Sequence, residues 1–343
     1  MKWISLKPTG ARSWKFLVLR WTVILVLLLA GLMFITNMLN HSYTGRLPPL
    51  TADEVIISDQ LRSHISTLAG TIGERNIWHY AKLKAAEHYI TETFIKLGYS
   101  VEEQVFNSEG REVKNLSVEL PGSSVPEEVV VVGAHYDSVM GSPGANDNGS
   151  GVAALLEIAR LLREQQPART VRLVAFVNEE PPFFYTKEMG SQLYAIRSQE
   201  RGERIIAMLS LETIGFYADG SGTQRYPFPF SLFFPKEGNF IGFVSNLASR
   251  ALVRKAISSF RQHTEFPSEG LAAPGWITGI SWSDHWSFWK VGYSAIMITD
   301  TALFRYPYYH TLQDTPDKID YPRTARVVNG LAKVIMELDI NLN

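Results

Sequence analysis

Cysteine is missing from all 343 residues. That excludes a disulfide framework and a thiolate metal site, and it leaves the redox compartment undecided. An excess of either charge is missing as well, with 33 lysines and arginines against 34 aspartates and glutamates. Such a balance gives no electrostatic footprint for nucleic acid, and no acidic block marks a disordered tail. Neither an internal repeat nor a low-complexity tract occurs, and no acidic residue precedes Asp53.

This last absence frames the amino terminus. Lys2, Lys7, Arg12, Lys15 and Arg20 precede an uncharged, strongly apolar run over residues 21–40. About 20 residues suffice for a helix to cross a bilayer, and a basic flank stays on the cytoplasmic side. No small-x-small cleavage site follows, so the run predicts a retained single-pass anchor rather than a removed signal peptide. The expected organisation is a basic cytoplasmic segment (1–20), a transmembrane anchor in the lipid bilayer (21–40), a linker with Pro48 and Pro49 (41–50) and one globular unit (51–343). That unit is expected on the periplasmic, extracellular or lumenal side. Hydrophobic residues make up 45% of the chain, which is ample for a real core.

The globular part is organised around residues 129–180. Val129, Val130, Val131 and Val132 form a β-branched run of the kind buried on both faces, and His135 and Asp137 follow at its carboxyl end. Gly141, Gly144, Gly149 and Gly151 let the chain turn around Asp147. Helical spacing then holds over 152–162, with Glu157 and Arg160 on the outer face, and a second apolar strand over 171–177 runs into Glu179 and Glu180. A third strand, 205–211, ends on Glu212. Three strand-end loops thus bring an imidazole and several carboxylates to one edge of a parallel sheet. Carboxylates gathered out of water repel one another, and they either take up protons or hold a cation. Mixed imidazole and carboxylate ligands suit zinc at an open, catalytic site.

Elsewhere, helices are expected over 58–68, 81–97, 188–197, 247–261 and 324–338, and strands over 99–106, 113–120, 240–244 and 294–299. Strands 99–106 and 113–120 read as antiparallel neighbours at a sheet edge. Residues 181–189, opened by Pro181 and Pro182, read as an apolar wall of a cleft, and 226–239, rich in proline and phenylalanine, as an irregular surface excursion. The fold class is α/β, a mixed and largely parallel central sheet flanked by helices, preceded by an amino-terminal transmembrane helix.

At this point the residues resemble a known family. HYDS at 135–138, GANDNGSG at 144–151, NEE at 178–180, LET at 211–213 and YYHTLQDTPDKID at 308–320 are similar, in the same order, to motifs of the co-catalytic di-zinc aminopeptidases of clan MH. Bacterial leucyl aminopeptidases, glutamate carboxypeptidase and glutaminyl cyclases are its relatives. The resemblance runs from about residue 81 to the end and implies the zinc-exopeptidase, phosphorylase/hydrolase-like fold. It implies two zinc ions, one held by His135 and Glu212, the other by Glu180 and His310, with Asp147 bridging. Many members carry aspartate where Glu212 stands, and either carboxylate can ligate. Asp137 is implied to accept the free N–H of His135, Glu179 to serve as general base towards the attacking water, and Tyr309 to help stabilise the oxyanion. The implied activity is removal of amino-terminal residues from peptide substrates by a metallo-aminopeptidase.

Singly, each residue has a plainer reading: a structural histidine, a turn aspartate, a solvated Glu-Glu pair. A phosphate cradle at 141–151 is disfavoured, since the Gly-Lys-Ser/Thr ending is absent and Asp147 is acidic. Asp284 and His285, within an SDH segment, are assigned cleft support rather than ligation. Trp286, Trp289, Phe304, Tyr306 and Tyr308 could line an apolar pocket. Two rivals remain: a glutaminyl cyclase-like acyltransferase of the same fold, against which the retained His135 weighs, and a non-catalytic receptor or scaffold domain, against which the complete ligand set weighs. Asn40, Asn115 and Asn148 match glycosylation sequons by pattern.

Overall fold

The computed structural model describes residues 11–341 of the chain; Lys2 and Lys7 of the basic segment lie outside them. Helix α1 (Ala11–Thr36) forms one unit by itself, and the remainder from Met38 forms a second. Its 26 residues give a length of about 39 Å. Trp14, Phe16, Leu27 and Met33 are all exposed, and 14–36 is long and apolar enough to cross a membrane.

The second unit opens with α2 (Ala52–Ile65). Thr51 and Glu54 form a capping box, the Thr51 hydroxyl accepting the Glu54 N–H and the Glu54 carboxylate accepting the Thr51 N–H. This cap starts the helix well before its apolar spacing becomes readable at residue 58. Segment 41–50 is laid against this unit: Ser42 Oγ accepts the Ser268 N–H, and Arg326 donates to the Pro48 carbonyl.

After α3 (Tyr80–Lys96) come β1 (Glu102–Ser108), β2 (Arg111–Leu120) and β3 (Val125–His135), then α4 (Gly151–Leu162), β4 (Arg169–Phe176), α5 (Gly190–Glu200) and β5 (Arg204–Glu212). A short pair follows, β6 (Ala218–Ser221) with β7 (Glu237–Gly238), and then β8 (Ile241–Ser245), α6 (Arg250–His263), β9 (Ser268–Ala272), α7 (His285–Lys290), β10 (Ala295–Thr299), α8 (Ala302–Arg305) and α9 (Tyr321–Asn341). The main sheet has the order β1-β2-β4-β3-β5-β10-β8-β9. Its centre, β4-β3-β5-β10, is parallel; β1, β2 and β8 pair antiparallel with their inner neighbours, and β9 pairs parallel with β8. The fold is therefore the expected mixed α/β arrangement, with β1 and β2 as antiparallel neighbours at one edge.

Alternation along the central strands sends side chains to two cores. Val130, Val132, Leu173, Leu209 and Ile298 pack with residues of α2, α4, α6 and α9 on one face. Val129, Val131, Val174, Phe176 and Met208 pack with Tyr194 of α5 and Phe288 of α7 on the other. Burial on both faces explains the uninterrupted valine run.

Two local expectations are corrected, and one strand is new. Glu157 of α4 is buried, not outward, and pairs with Arg160 at 2.8 Å, with His64 at 3.6 Å. Strand β9 carries no strand signature of its own, since its sequence, SEGLA, has no β-branched residue and one glycine. Trp289 and Tyr306 are not pocket residues: the Trp289 indole donates to the Ala295 carbonyl beside a core cluster, and the Tyr306 hydroxyl donates to Asp314.

Candidate metal centre and its cavity

The parallel strands β3, β4, β5 and β10 all end on one edge of the sheet, where open α/β folds leave a crevice for ligands. His135 is the last residue of β3, Glu212 the last of β5, and Glu179 and Glu180 follow β4. Asp147 comes from the loop between β3 and α4, and His310 from the loop after α8.

The side chains converge. His135 Nε2 lies 3.4 Å from Asp147 Oδ1, 3.2 Å from Glu212 Oε2 and 3.8 Å from Glu179 Oε2. His310 Nε2 lies 2.9 Å from Asp147 Oδ2 and 3.4 Å from Glu180 Oε2. Two clusters result, His135–Asp147–Glu212 and Asp147–Glu180–His310, each with its donor atoms within 4.8 Å of one another and each able to hold a metal ion. Asp147 belongs to both, one oxygen turned to each histidine.

Electrostatics follow from burial. Glu179 and Glu180 are pushed well above the usual carboxylate range by desolvation, with neighbouring carboxylates adding to it. Burial would depress His135, but the charges of Glu179 and Glu212 raise it well above an ordinary imidazole. Desolvation would raise Asp147 too; the two histidines overcome it and lower the group. Both imidazole Nε2 atoms are buried without a hydrogen-bond partner, aimed at carboxylate oxygens. Orphaned nitrogens facing oxygens, with no thiolate available, fit a divalent cation of the zinc type.

The supporting contacts fix these orientations. Asp137 accepts the N–H of Glu179 on Oδ1 and that of Glu180 on Oδ2, both at 3.1 Å. Held so, its carboxylate stands 3.6 Å from His135 Nδ1, and its own carbonyl is the nearer acceptor at 3.3 Å. The role expected of the Asp137 carboxylate is thus shared with its backbone. Glu180 Oε1 accepts the Val139 N–H, and Ser283 donates to Glu212 Oε2. The Tyr309 ring stacks on His310 at 3.8 Å, and burial, with the nearby carboxylates, keeps its hydroxyl protonated far above the ordinary range.

Several residues at the site gave no readable signal. Arg75 is fully buried and donates to the carbonyls of Tyr136, Pro143 and Gly144, tying down the loop that carries Asp147; burial lowers it to about 10. Asn148 donates to the Leu211 carbonyl and accepts from Gly151 and Thr213, joining that loop to the end of β5. Asp300, after β10, takes Asn146 Nδ2 and the Phe216 N–H. Asn178, Thr213 and His310 adopt positive φ values of 60°, 44° and 58° without being glycine. Such strain gathers where surrounding contacts over-determine the chain, as here beside the clustered side chains. At Gly144, φ is +64° and a Cβ would lie 2.5 Å from the Asp147 carbonyl.

The SDH segment divides. Ser283 supports Glu212, and Asp284, wholly buried, is pushed up to about 7 by burial with Glu212 and Asp137 nearby. His285 turns away, bonding the Ile280 carbonyl and packing edge-on against Trp289. The sequons at Asn115 and Asn148 are buried and spent on internal hydrogen bonds.

Beside Glu212 and Tyr309 a cavity of about 850 Å³, open solvent at its mouth included, extends over β10, β8 and β9. Tyr226, Pro227, Phe230 and Phe234 roof it, so the irregular excursion is a cavity wall. Phe304 lines it as expected, whereas residues 181–189 do not; their Tyr185 packs at a tilt against Trp286, bonds Ser281 and lies near Glu179.

A model of peptidase family M28 matches residues 115–335, the span that contains every one of the clustered residues. The chain belongs to peptidase family M28. Its relatives include an uncharacterised protein of Escherichia coli, YfbL, 37% identical over 81% of this chain and 87% of that one. It spans only 57% of a probable aminopeptidase of Saccharomyces cerevisiae, at 24% identity. Among solved structures, a zinc aminopeptidase from Bacillus subtilis superposes with a TM-score of 0.62 at 17% identity, covering 82% of this chain and 94% of that one. A glutaminyl cyclase from Bacteroides thetaiotaomicron does so equally, at 0.62 and 19%, covering 85% and 99%. At such identities the superpositions establish the fold alone.

Proposed function

We propose that this M28 chain is a membrane-anchored aminopeptidase that holds two zinc ions. The observation that carries the reading is Asp147, whose two oxygens face two separate histidines, each completed by a further carboxylate. His135 and Glu212 would hold one ion, Glu180 and His310 the other, and Asp147 both. When bound, the pair supplies a polarising charge and a water acidic enough to be deprotonated near neutral pH.

The chain's own residues do the rest. Glu179 lies at the His135 side of the cluster, where burial favours the protonated form of its carboxyl, and it is the carboxylate placed to exchange a proton with the water. It takes the proton of the attacking water and delivers it to the departing amine. Tyr309 keeps its hydroxyl proton and offers it to the oxygen of the scissile carbonyl. Asp137 holds Glu179 and Glu180 in place through their backbone N–H groups. The adjoining cavity receives the side chain of the residue to be removed. Residues 14–36 serve as the anchor, with the basic flank cytoplasmic and the peptidase unit on the far side.

The test is a pair of peptides differing only at the amino terminus, free or acetylated, supplemented with a glutaminyl peptide. Release of the first residue from the free peptide alone is expected. Cleavage of the acetylated peptide would contradict an aminopeptidase, and cyclisation of the glutaminyl peptide without hydrolysis would favour the cyclase.

A further inference from the structure

A row of four residues crosses the sheet beside the metal centre. Glu212 of β5 is in register with Thr299 of β10, Thr299 with Gly242 of β8, and Gly242 with Glu269 of β9. At the usual strand spacing the two ends are about 14 Å apart. All four line the cavity. Phe243 faces α6, where it meets Phe260 at 5.3 Å, and a Cβ on Gly270 would press on Ile257 of α6. Alternation therefore turns Gly242, Glu269 and Leu271 to the cavity side.

Between the ends of the row the surroundings are apolar. Phe230, Phe240, Val244, Ile280, Met297 and Phe304 form the walls, and the charged side chains on the described lining are Glu212 and Glu269 alone. Arg305 stands outside the lining, donating to Gln224 and to the Phe240 carbonyl and leaving Nη2 without a hydrogen-bond partner. Arg261, which bonds Ser268 and the carbonyls of Leu39 and Asn40, reaches Glu269 only as a partial counter-charge, with the Ser42 hydroxyl beside it. Desolvation raises the Glu269 carboxyl despite them.

We propose that this cavity selects an amino-terminal lysine or arginine, its methylenes lying along the aromatic walls and its cationic head meeting Glu269. The assignment rests on the aminopeptidase reading and names its substrate class. Lysine and arginine alone combine a long apolar stem with a terminal positive charge. A leucine side chain would fill the walls but further desolvate the Glu269 carboxylate while adding no counter-charge to that of Arg261, and an acidic side chain would meet repulsion at both ends.

The test uses the full chain in detergent, loaded with zinc, and the 4-nitroanilides of arginine, lysine, leucine and glutamate. The expected kcat/KM for arginine or lysine exceeds that for leucine by about tenfold or more, with glutamate lowest. Glu269→Gln is expected to cut the arginine-to-leucine ratio by about tenfold, and Glu269→Asp to keep part of it. L-arginine, a reaction product with no scissile bond, should also bind the unsubstituted protein more tightly than L-leucine in a calorimetric titration, a readout that needs no variant. Leucine preferred over both cations, or an unchanged ratio in Glu269→Gln, overturns the pocket assignment while hydrolysis itself upholds the aminopeptidase reading. No hydrolysis of any anilide overturns that reading, and this inference with it.

Discussion

The carboxylate of Asp314 holds Asp147 by its backbone: Oδ2 accepts the Asp147 N–H at 3.1 Å while Oδ1 accepts that of Asn146 at 2.8 Å. Tyr306 completes the arrangement with a 2.7 Å bond to Oδ1. The loop carrying His310 therefore also orients the residue shared between the two clusters. Asp314→Ala is expected to weaken zinc binding by roughly 10–100-fold, the scale at which outer partners of metal ligands act. Competition with a chromogenic chelator measures it, and unchanged affinity would show that Asp147 is positioned without Asp314.

Glu179 is the group in the cluster assigned to proton transfer. Glu179→Gln is expected to lower kcat by roughly 10²–10⁴ while leaving zinc content unchanged. A parallel loss of zinc would make Glu179 a ligand instead.

Burial also places a pH-sensitive group away from the chemistry. His285 is held neutral, lowered from 6.5 to about 4 by desolvation. Its folded-state value lies below the unfolded one, so the unfolded chain takes up the proton first as pH falls. The associated stability, on the order of 3 kcal/mol, is complete above pH 6.5 and drains away between there and about pH 4. His285→Gln should flatten this window in denaturant titrations at pH 7, 5.5 and 4.5. Equal acid sensitivity in both proteins would refute the assignment.

The absence of cysteine makes the proposed anchor easy to test. Ser5→Cys and Ser221→Cys each introduce a single thiol, the second at an exposed position of β6. In intact cells a membrane-impermeant maleimide is expected to label the second alone. Labelling of the first alone would invert the topology.

How much of this was readable depends on whether a residue's role leaves a local trace. The β-branched run of β3 and the residues at strand ends were visible because sheet burial imposes composition and because chemistry needs imidazole and carboxylate there. Arg75 and Asp314 left no such trace. Each acts through backbone groups of a distant loop, and an arginine after Glu74 or an aspartate before Thr315 reads as ordinary solvated sequence. Strand β9 and its Glu269 were invisible for a different reason: an edge strand draws its pairing from a neighbour rather than from β-branched residues of its own. The positive φ of Thr213 likewise belongs to the tertiary setting, since a β-branched residue disfavours it.

The central claim is that five side chains jointly hold two metal ions, and counting metal tests it most directly. Elemental analysis of the purified full chain after zinc loading should find close to two zinc per chain, falling below one in Asp147→Ala. Chelation should abolish peptide hydrolysis, and added zinc restore it. A content near zero, or one unmoved by Asp147→Ala, would contradict the account.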